Sequence, residues 1–444
     1  MIFITPIFWT KTLHASRLRR FLSENGHIEY FIDFNEMPIF DGVSSTILVF
    51  KYIKGKRLRE DAEPTVKCIK VHTKKRLDES YLAKIQELIV KIRNNDEYFV
   101  DGIFECFRHD QFKGGQSWNA IPRPFIPEIE HLEEFCMNCA PLVDISVSKK
   151  NIRLHISELY TKDDLEENGI QIKMCKKVNF NGTPYYIIDG VEDIKRPVRL
   201  GDITDIGNGL VSGLDSAFKM VQYEKLSDIE KGKMIKVVKA YNLTQYYSTG
   251  YDPYIFVNDI EREEELKANY PFIYNYLKEN KDKLESRYQY NKVTPWWHWV
   301  FLRNWKLFTE NKKKIFCPCK ERIDKKQYAR FSLIEGGFVP TQDVTAMVLK
   351  PWVKEDIRYI MALLNSDIIL HWMKYKGLSR GGVLEFSERP LSKIPMRLID
   401  WENKKEVSLY NEIIGLVNKI IQEKNSIKYK GLIEERIKAL IGLN

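Results

Sequence analysis

No stretch of the 444-residue sequence approaches the ~18 uninterrupted apolar residues of a membrane helix, which argues against a helical membrane span. The apolar opening, Met1 to Trp9, has no basic segment before it and no small-residue cleavage site after it. It therefore does not read as a secretory signal, and a cytoplasmic location is expected. Cysteine is scarce: Cys68, Cys106, Cys136, Cys139, Cys175, Cys317 and Cys319 are too few and too scattered for a disulfide framework, so reduced thiols are expected. There is no internal repeat, no low-complexity tract, and no Asn followed by Pro anywhere. No Ser/His/Asp or Cys/His set stands in a persuasive context.

What is present suits a globular protein. A hydrophobic content of 44% supports packed cores, and the length suits two or three domains. Seventy Lys and Arg against 61 Asp and Glu give a formal charge of +9, a mild bias towards a polyanionic partner.

Along the chain, Ile2 to Thr5 reads as a buried strand closed by Pro6, and Ala15, Leu18, Phe21 and Leu22 recur at helical spacing until Gly26. Ile28 to Phe34 and Thr46 to Tyr52 are rich in β-branched and aromatic residues and predict two more strands. Three strands are too few for a parallel sheet covered on both faces, so this reads as the closing edge of an α/β sheet whose beginning is missing. A charged stretch, Lys51 to Lys75, and a helix from about Leu77 to Arg93 form a connector. Gly114-Gly115 and Pro122, Pro124 and Pro127 then mark a loop-rich boundary. Beyond it, strand-like runs at Ile152–Ile156, Tyr185–Ile188, Ile235–Val238, Ile255–Val257, Phe331–Ile334 and Thr345–Leu349 suggest an irregular α+β domain. Ile357, Ile360, Leu364 and Ile368 predict one helix stopped by Gly377, with further helices over Leu409–Ile421 and Leu432–Ile441.

Three stretches carry a family resemblance. The first comprises Ile2-Phe3-Ile4-Thr5-Pro6, Leu18-Arg19-Arg20-Phe21-Leu22, Ile32-Asp33-Phe34, Ile39-Phe40-Asp41-Gly42 and Thr46-Ile47-Leu48-Val49. The second is Leu200-Gly201-Asp202-Ile203, then Gly207-Asn208-Gly209-Leu210-Val211-Ser212-Gly213-Leu214-Asp215 and Ala217-Phe218. The third runs from Lys314-Ile315 through Phe331-Ser332-Leu333 and Leu363-Leu364-Asn365-Ser366 to Gly381-Gly382 and Leu391-Ser392-Lys393-Ile394-Pro395. In this order they resemble the C-terminal part of the TaqI-like amino class of adenine-specific DNA methyltransferases. The first looks like the end of the methyltransferase domain, and the others like the opening and end of the target recognition domain. Such enzymes turn adenine out of the duplex before transferring a methyl group to its amine. The family's Asn-Pro-Pro-aromatic loop and its S-adenosylmethionine-cradling glycine turn have no counterpart in this sequence.

The resemblance places Phe40 where the family stacks an aromatic on the flipped base. A hydrophobic plug at a strand end is the alternative. Gly207, Gly209 and Gly213 do not follow a clean hydrophobic strand, so a dinucleotide site is disfavoured. The reading is a recognition-domain loop in which Asn208 and its flanking glycines let the backbone approach DNA. Between Lys312 and Arg330, eight basic residues (Lys312, Lys313, Lys314, Lys320, Arg322, Lys325, Lys326, Arg330) stand against Glu321 and Asp324, interleaved with Phe316 and Tyr328. The cluster suits phosphate contact or a solvated surface. Lys374, Lys376 and Arg380 flank a helix end beside Gly381-Gly382, and Arg380 is a candidate reader of guanine. Trp296, Trp297, Trp299 and Trp305, with His298 and Arg303, suit core packing better than base stacking. Cys136-x-x-Cys139 and Cys317-x-Cys319 fit buried thiols better than a zinc site. Asp189, with Asp193-Ile194-Lys195, faintly resembles a metal-dependent nuclease motif.

The expectation is therefore an α/β plus α+β chain. It comprises a C-terminal remnant of a Rossmann-like methyltransferase sheet (1–55), a helical connector (56–130), an irregular target recognition domain (131–400) and C-terminal helices (401–444). The resemblance implies double-stranded DNA as partner and S-adenosylmethionine as cofactor of the complete enzyme but not of this chain alone; a truncated reading frame, an expressed fragment and one half of a split enzyme, whose other half a separate chain carries, all fit the missing part. No metal is expected. A non-catalytic specificity subunit is the alternative, disfavoured because only one recognition domain is found.

Overall fold

The expected strands of the opening segment form, although the first, expected to be buried, is an exposed edge strand (Ile2 69% and Ile4 58% exposed), and they are joined by three more. In the computed structural model, which describes residues 1–42, 45–55, 65–92, 98–147, 150–188, 195–323, 327–380 and 382–443, the first sheet comprises six strands. These are β1 (Ile2–Pro6), β2 (Gly26–Asp33), β3 (Ile47–Lys54), β4 (Val66–Val71), β5 (Tyr98–Asp101) and β6 (Phe104–His109), in the order β1-β3-β2-β4-β6-β5. Only β2 and β4 pair in parallel. Side chains alternate between two cores. Phe31, Cys68 and Phe107 face one, and Ile32, Ile69 and Cys106 face the other, which the helix Glu79–Lys91 covers with Ile85 and Leu88. Residues 66–109, read from sequence as part of a helical connector, thus extend the sheet to His109. Their strands are only four to six residues long and hold charged residues among apolar ones, which in sequence reads as a charged connector.

The rest of the chain is built from small mixed sheets and helices. Hairpins Leu142–Val147/Lys150–His155 and Cys175–Phe180/Thr183–Ile188 precede a five-stranded sheet. That sheet runs in the order Thr204–Asn208, Val344–Leu349, Lys314–Pro318, Ser332–Ile334, Tyr246–Tyr247. The helices Lys404–Glu423 and Ile427–Leu440 form an antiparallel pair that packs its apolar stripes into the same large core.

The stretches that carry the resemblance turn out to close this region. Leu200 N donates to Ile394 O (2.8 Å) and Met396 N to Val198 O (2.8 Å), so the second stretch and the end of the third pair with each other. A Cβ on Gly201 would sit 2.7 Å from Ser392 Cβ, so only glycine permits that approach. The single helix expected over 357–376 is two, Ile357–Leu364 and Asp367–Lys376. Asn365 breaks it by clamping the Phe331 backbone, accepting from its N–H (3.1 Å) and donating to its carbonyl (2.8 Å), while the Ser366 hydroxyl caps the second helix. Periodicity continues through this break, which is why sequence alone misses it.

Candidate nucleic-acid interface

Between the C-terminal end of the first sheet and the helix Asp367–Lys376 lies a cleft of about 1310 Å³, larger than ordinary small-ligand pockets of roughly 300–1,000 Å³. Strand register builds its floor. Asp33 of β2 pairs with Lys70 of β4, and Lys70 with Glu105 of β6, so three charged side chains form one row across neighbouring strands on the face that also carries Phe31. Lys70 Nζ sits over the rings of Phe107 (5.4 Å) and Tyr375 (5.6 Å), one from each side of the cleft. The lining holds six lysines and five carboxylates, so the cleft is a mixed polar surface rather than a cationic channel. Such a lining can meet the donors and acceptors of base edges as well as phosphates.

Burial tunes these groups. Burial raises the Asp33 carboxyl above its ordinary range, against the opposing charges of Lys70 and Lys11 and the Asn35 N–H. Burial also opposes ionisation of Glu105, but the hydrogen bond from His72 (3.0 Å) and the charge of Lys70 outweigh it and leave the carboxyl low. Lys11 is pushed down to about 8 by burial and by Lys70, against the pull of Asp33. Its ammonium crosses the cleft to Gly377 O and Ser379 Oγ (both 3.2 Å). Asn119 Oδ1, on the lining, is buried without a hydrogen-bond partner among the described residues, leaving an acceptor for a ligand.

Phe40 stands on the β2–β3 loop that sends Asn35 and Glu36 into the cleft. Its side chain is 47% exposed, so it is not a core plug. Lys374 is exposed on the cleft wall, and burial of its ammonium lowers its pKa, with Glu105 opposing. The other expected DNA contacts divide. Lys312 and Lys313 are exposed and pair with Glu310 (2.7 Å) and Glu335 (3.0 Å), surface partners that phosphates can replace. Lys320 is exposed opposite Glu385 in the strand pair Lys320–Arg322/Val383–Glu385.

One of the expected contacts needs correction, and two are engaged by carboxylates of other segments. Lys314 is fully buried, its ammonium donating to Glu310 O (2.8 Å), Lys312 O (3.1 Å) and Gly336 O (3.3 Å); it closes a loop and cannot reach DNA. Arg322 donates to Glu36 (2.7 Å), and that acid also pairs with Lys74 (3.6 Å), so the arginine ties the strand Lys320–Arg322 to the loop that carries Phe40. Lys376 pairs with Glu133 (3.2 Å) on the helix Ile126–Asn138. Arg330, in the same basic run, donates to Glu321 (2.6 Å).

Arg380 ends a two-residue strand, and its side chain, like residues Lys325, Lys326, Gly381, Asp189 and Asp193, lies outside what the structure describes. Asn208 is held by Thr345 Oγ1 (3.0 Å) and Asn304 Nδ2 (3.0 Å). The glycines beside it answer internal crowding: a Cβ on Gly209 would lie 2.1 Å from Thr341 O, and one on Gly207 2.8 Å from the Asn304 side chain. Trp296, Trp297 and Trp299 are core residues, as expected, and His298 is buried with them. Trp305 stacks on Phe256 at 4.5 Å. Cys136 and Cys317 are buried thiols; among the described residues no group of three or more His, Cys, Asp or Glu is placed to hold a metal ion. Likewise, no described helix is long and apolar enough to cross a membrane.

Sequence reasoning did not single out Lys11, Lys70 or Glu105, and noted Asp33 only within a resemblance-bearing stretch. A charged residue at every second or third strand position reads as a solvent-facing edge, and only the strand order converts these into one row.

No protein-family model matches the sequence. The chain is 37% identical over 426 residues to the Type II methyltransferase M.HindII of Haemophilus influenzae strain Rd, covering 96% of this chain and 69% of that protein. It is 34% identical over 426 residues to the Type II methyltransferase M.HincII of Haemophilus influenzae, with 96% and 68% covered. Its fold is similar to that of the Type IIL restriction-modification enzyme MmeI, solved in complex with DNA. That likeness has a TM-score of 0.50 at 10% identity and spans all of this chain but about half (47%) of that one. Identity at this level across nearly the whole chain settles the family: the chain belongs to the Type II methyltransferases of restriction-modification systems.

Proposed function

We propose that this chain is the DNA-reading part of a site-specific adenine-N6 methyltransferase and that duplex DNA lies along the cleft. The observation that carries the reading is the cleft itself. It is polar, larger than a metabolite pocket, and bordered by the exposed Phe40 loop in a chain 37% identical to a Type II methyltransferase. On this reading β1 to β3 are the closing strands of a Rossmann-like methyltransferase sheet that β4 to β6 extend to His109, and residues 131–400 form the target recognition domain, followed by C-terminal helices (401–444). Phe40 stacks on the flipped adenine, a contact worth about 1–3 kcal/mol, while Lys374, Lys312, Lys313, Lys320 and Arg380 meet the DNA.

S-adenosylmethionine serves the complete enzyme and supplies the methyl group. Without an Asn-Pro-Pro-aromatic loop to hold the amine, this chain transfers none by itself, and a separate chain carrying that loop restores transfer. The assay uses labelled S-adenosylmethionine and mixed-sequence duplex DNA, with the chain alone and then with the product of the adjacent upstream reading frame. Transfer only with the second protein is expected. Transfer by the isolated chain overturns the claim of an incomplete active site.

A further inference from the structure

Away from the cleft, the segment Arg287–Pro295 presents large apolar side chains to solvent. Tyr288 is 68% exposed, Tyr290 38%, and Val293 is fully exposed. Exposed rings clustered on one rigid loop call for a partner, because single scattered apolar residues are ordinary but a clustered set is not. The loop is held in shape from below. Arg287 donates to Ser212 O (3.0 Å), Pro295 O (3.3 Å) and His298 O, with its guanidinium over the Phe218 ring at 5.5 Å. Gln289 accepts from Thr294 N (3.0 Å), and Lys292 N donates to Gln289 O (3.1 Å). Tyr290 (φ 53°) and Asn291 (φ 59°) are consecutive left-handed residues, a conformation that a tyrosine seldom adopts. The turn therefore leaves Tyr288 and Val293 facing solvent, with Tyr290 half-exposed against Phe301.

Its surroundings point to a nucleic acid. Tyr288 and Tyr290 pack against each other at 4.8 Å, and Tyr290 packs on Phe301 at 5.2 Å. The ammonium of Lys292 (5.9 Å) and the guanidinium of Arg303 (6.0 Å) lie near the Phe301 ring. Rings interleaved with cations are the pattern of a surface that stacks on bases while meeting phosphates. Arg303 also donates to Gly209 O (2.7 Å), beside Asn208.

Resting on the reading of the chain as a DNA-binding part, we propose that Arg287–Pro295 is a wedge loop. Tyr288, Tyr290 and Val293 insert against the bases of the bound duplex, and Lys292 takes an adjacent phosphate. Proteins that push apolar side chains into a groove obtain a bent or unstacked duplex that covers more of their surface.

The test measures binding of a fluorescein-labelled, mixed-sequence 30-base-pair duplex by anisotropy across a salt series, for the full chain and for Tyr288→Ser, Val293→Ser and Lys292→Gln. The two apolar variants should weaken binding by about ten-fold with an unchanged salt slope, as loss of an aromatic stack at Tyr288 and of an apolar wedge contact at Val293 predicts. Lys292→Gln should lower the slope by about 1, as loss of one phosphate contact predicts. Thermal midpoints equal to wild type exclude unfolding, and because Tyr288 and Val293 are solvent-exposed, either variant suffices. If wild type binds and both apolar variants bind equally well, the wedge is refuted while the DNA-reading assignment stands. If wild type itself fails to bind at low salt, both fall.

Discussion

Replacing Asp202 should unfasten the packing around the helix Leu200–Ile203. Its carboxylate is 3% exposed and accepts four hydrogen bonds: Arg196 Nη1 (2.6 Å) and Nη2 (2.8 Å), Tyr185 Oη (3.1 Å) and Arg199 N (2.8 Å). Arg196 is as deeply buried, and its only other counter-charge among the described contacts is Asp164 at 3.7 Å. Breaking a buried pair from one side costs about 3–5 kcal/mol, because the stranded charge keeps its desolvation penalty. Asp164 offsets part of that, which places Asp202→Ala near ~3 kcal/mol, a large fraction of a stability of roughly 5–15 kcal/mol. Arg196→Met alone should cost a similar amount. The double variant should lose less than the sum, since neither charge is then stranded. Urea unfolding followed by tryptophan fluorescence reads all three. A loss under about 1 kcal/mol for Asp202→Ala, or strict additivity, would refute the reasoning. Burial works against ionisation of Asp164, but Arg199 and Arg196 hold its pKa well below the usual range. Its share of the stability is therefore full above about pH 4 and is lost as the medium becomes strongly acid.

Burial, with Asp367 nearby, raises the Glu434 carboxyl to about 7. Folding then binds a proton between roughly pH 4.3, the unfolded value, and 7, so its contribution falls as pH rises through that window, and Glu434→Gln should stabilise at pH 8 by on the order of 1–2 kcal/mol while flattening the decline. Thermal scans from pH 4 to 8 check the sign, and a destabilised variant at pH 8 would contradict it. Lys314→Met should lower stability by roughly 1–3 kcal/mol, because three carbonyls lose their donor, yet leave DNA affinity unchanged. Reduced affinity in a folded Lys314→Met would reinstate it as a DNA contact. With the complementing chain present, Phe40→Ala should slow methyl transfer by about ten-fold or more while thermal stability stays within about 0.5 kcal/mol, since the ring is exposed. Equal rates in single turnover would remove Phe40 from the site.

The strands β1 to β3 were legible because β-branched and aromatic runs sit between clear turns. The helix pair Lys404–Glu423 and Ile427–Leu440 was legible because its apolar period is unbroken. What sequence did not reveal depends on partners distant along the chain. Lys314, Arg322 and Lys376 have the same composition signal as exposed lysines and arginines, and only the fold brings Gly336 O, Glu36 and Glu133 to them. The helix break at Asn365 depends on Phe331, 34 residues earlier. The cleft was invisible for the same reason: Lys11, Asp33, Lys70, Glu105 and Lys374 come from five separate segments that strand order and helix packing bring together. Asp202 shows the opposite case, a motif residue noticed for its family likeness whose role is to anchor a buried arginine.

The most direct test of the account is whether this chain alone binds duplex DNA electrostatically. A labelled mixed-sequence 30-base-pair duplex is titrated with the purified chain at 50 mM and then 200 mM salt, and anisotropy is recorded. Saturable binding that weakens about ten-fold or more between the two conditions is predicted, as expected for a protein that neutralises a few phosphates. Absence of binding at 50 mM salt, from protein shown to be folded, would contradict it.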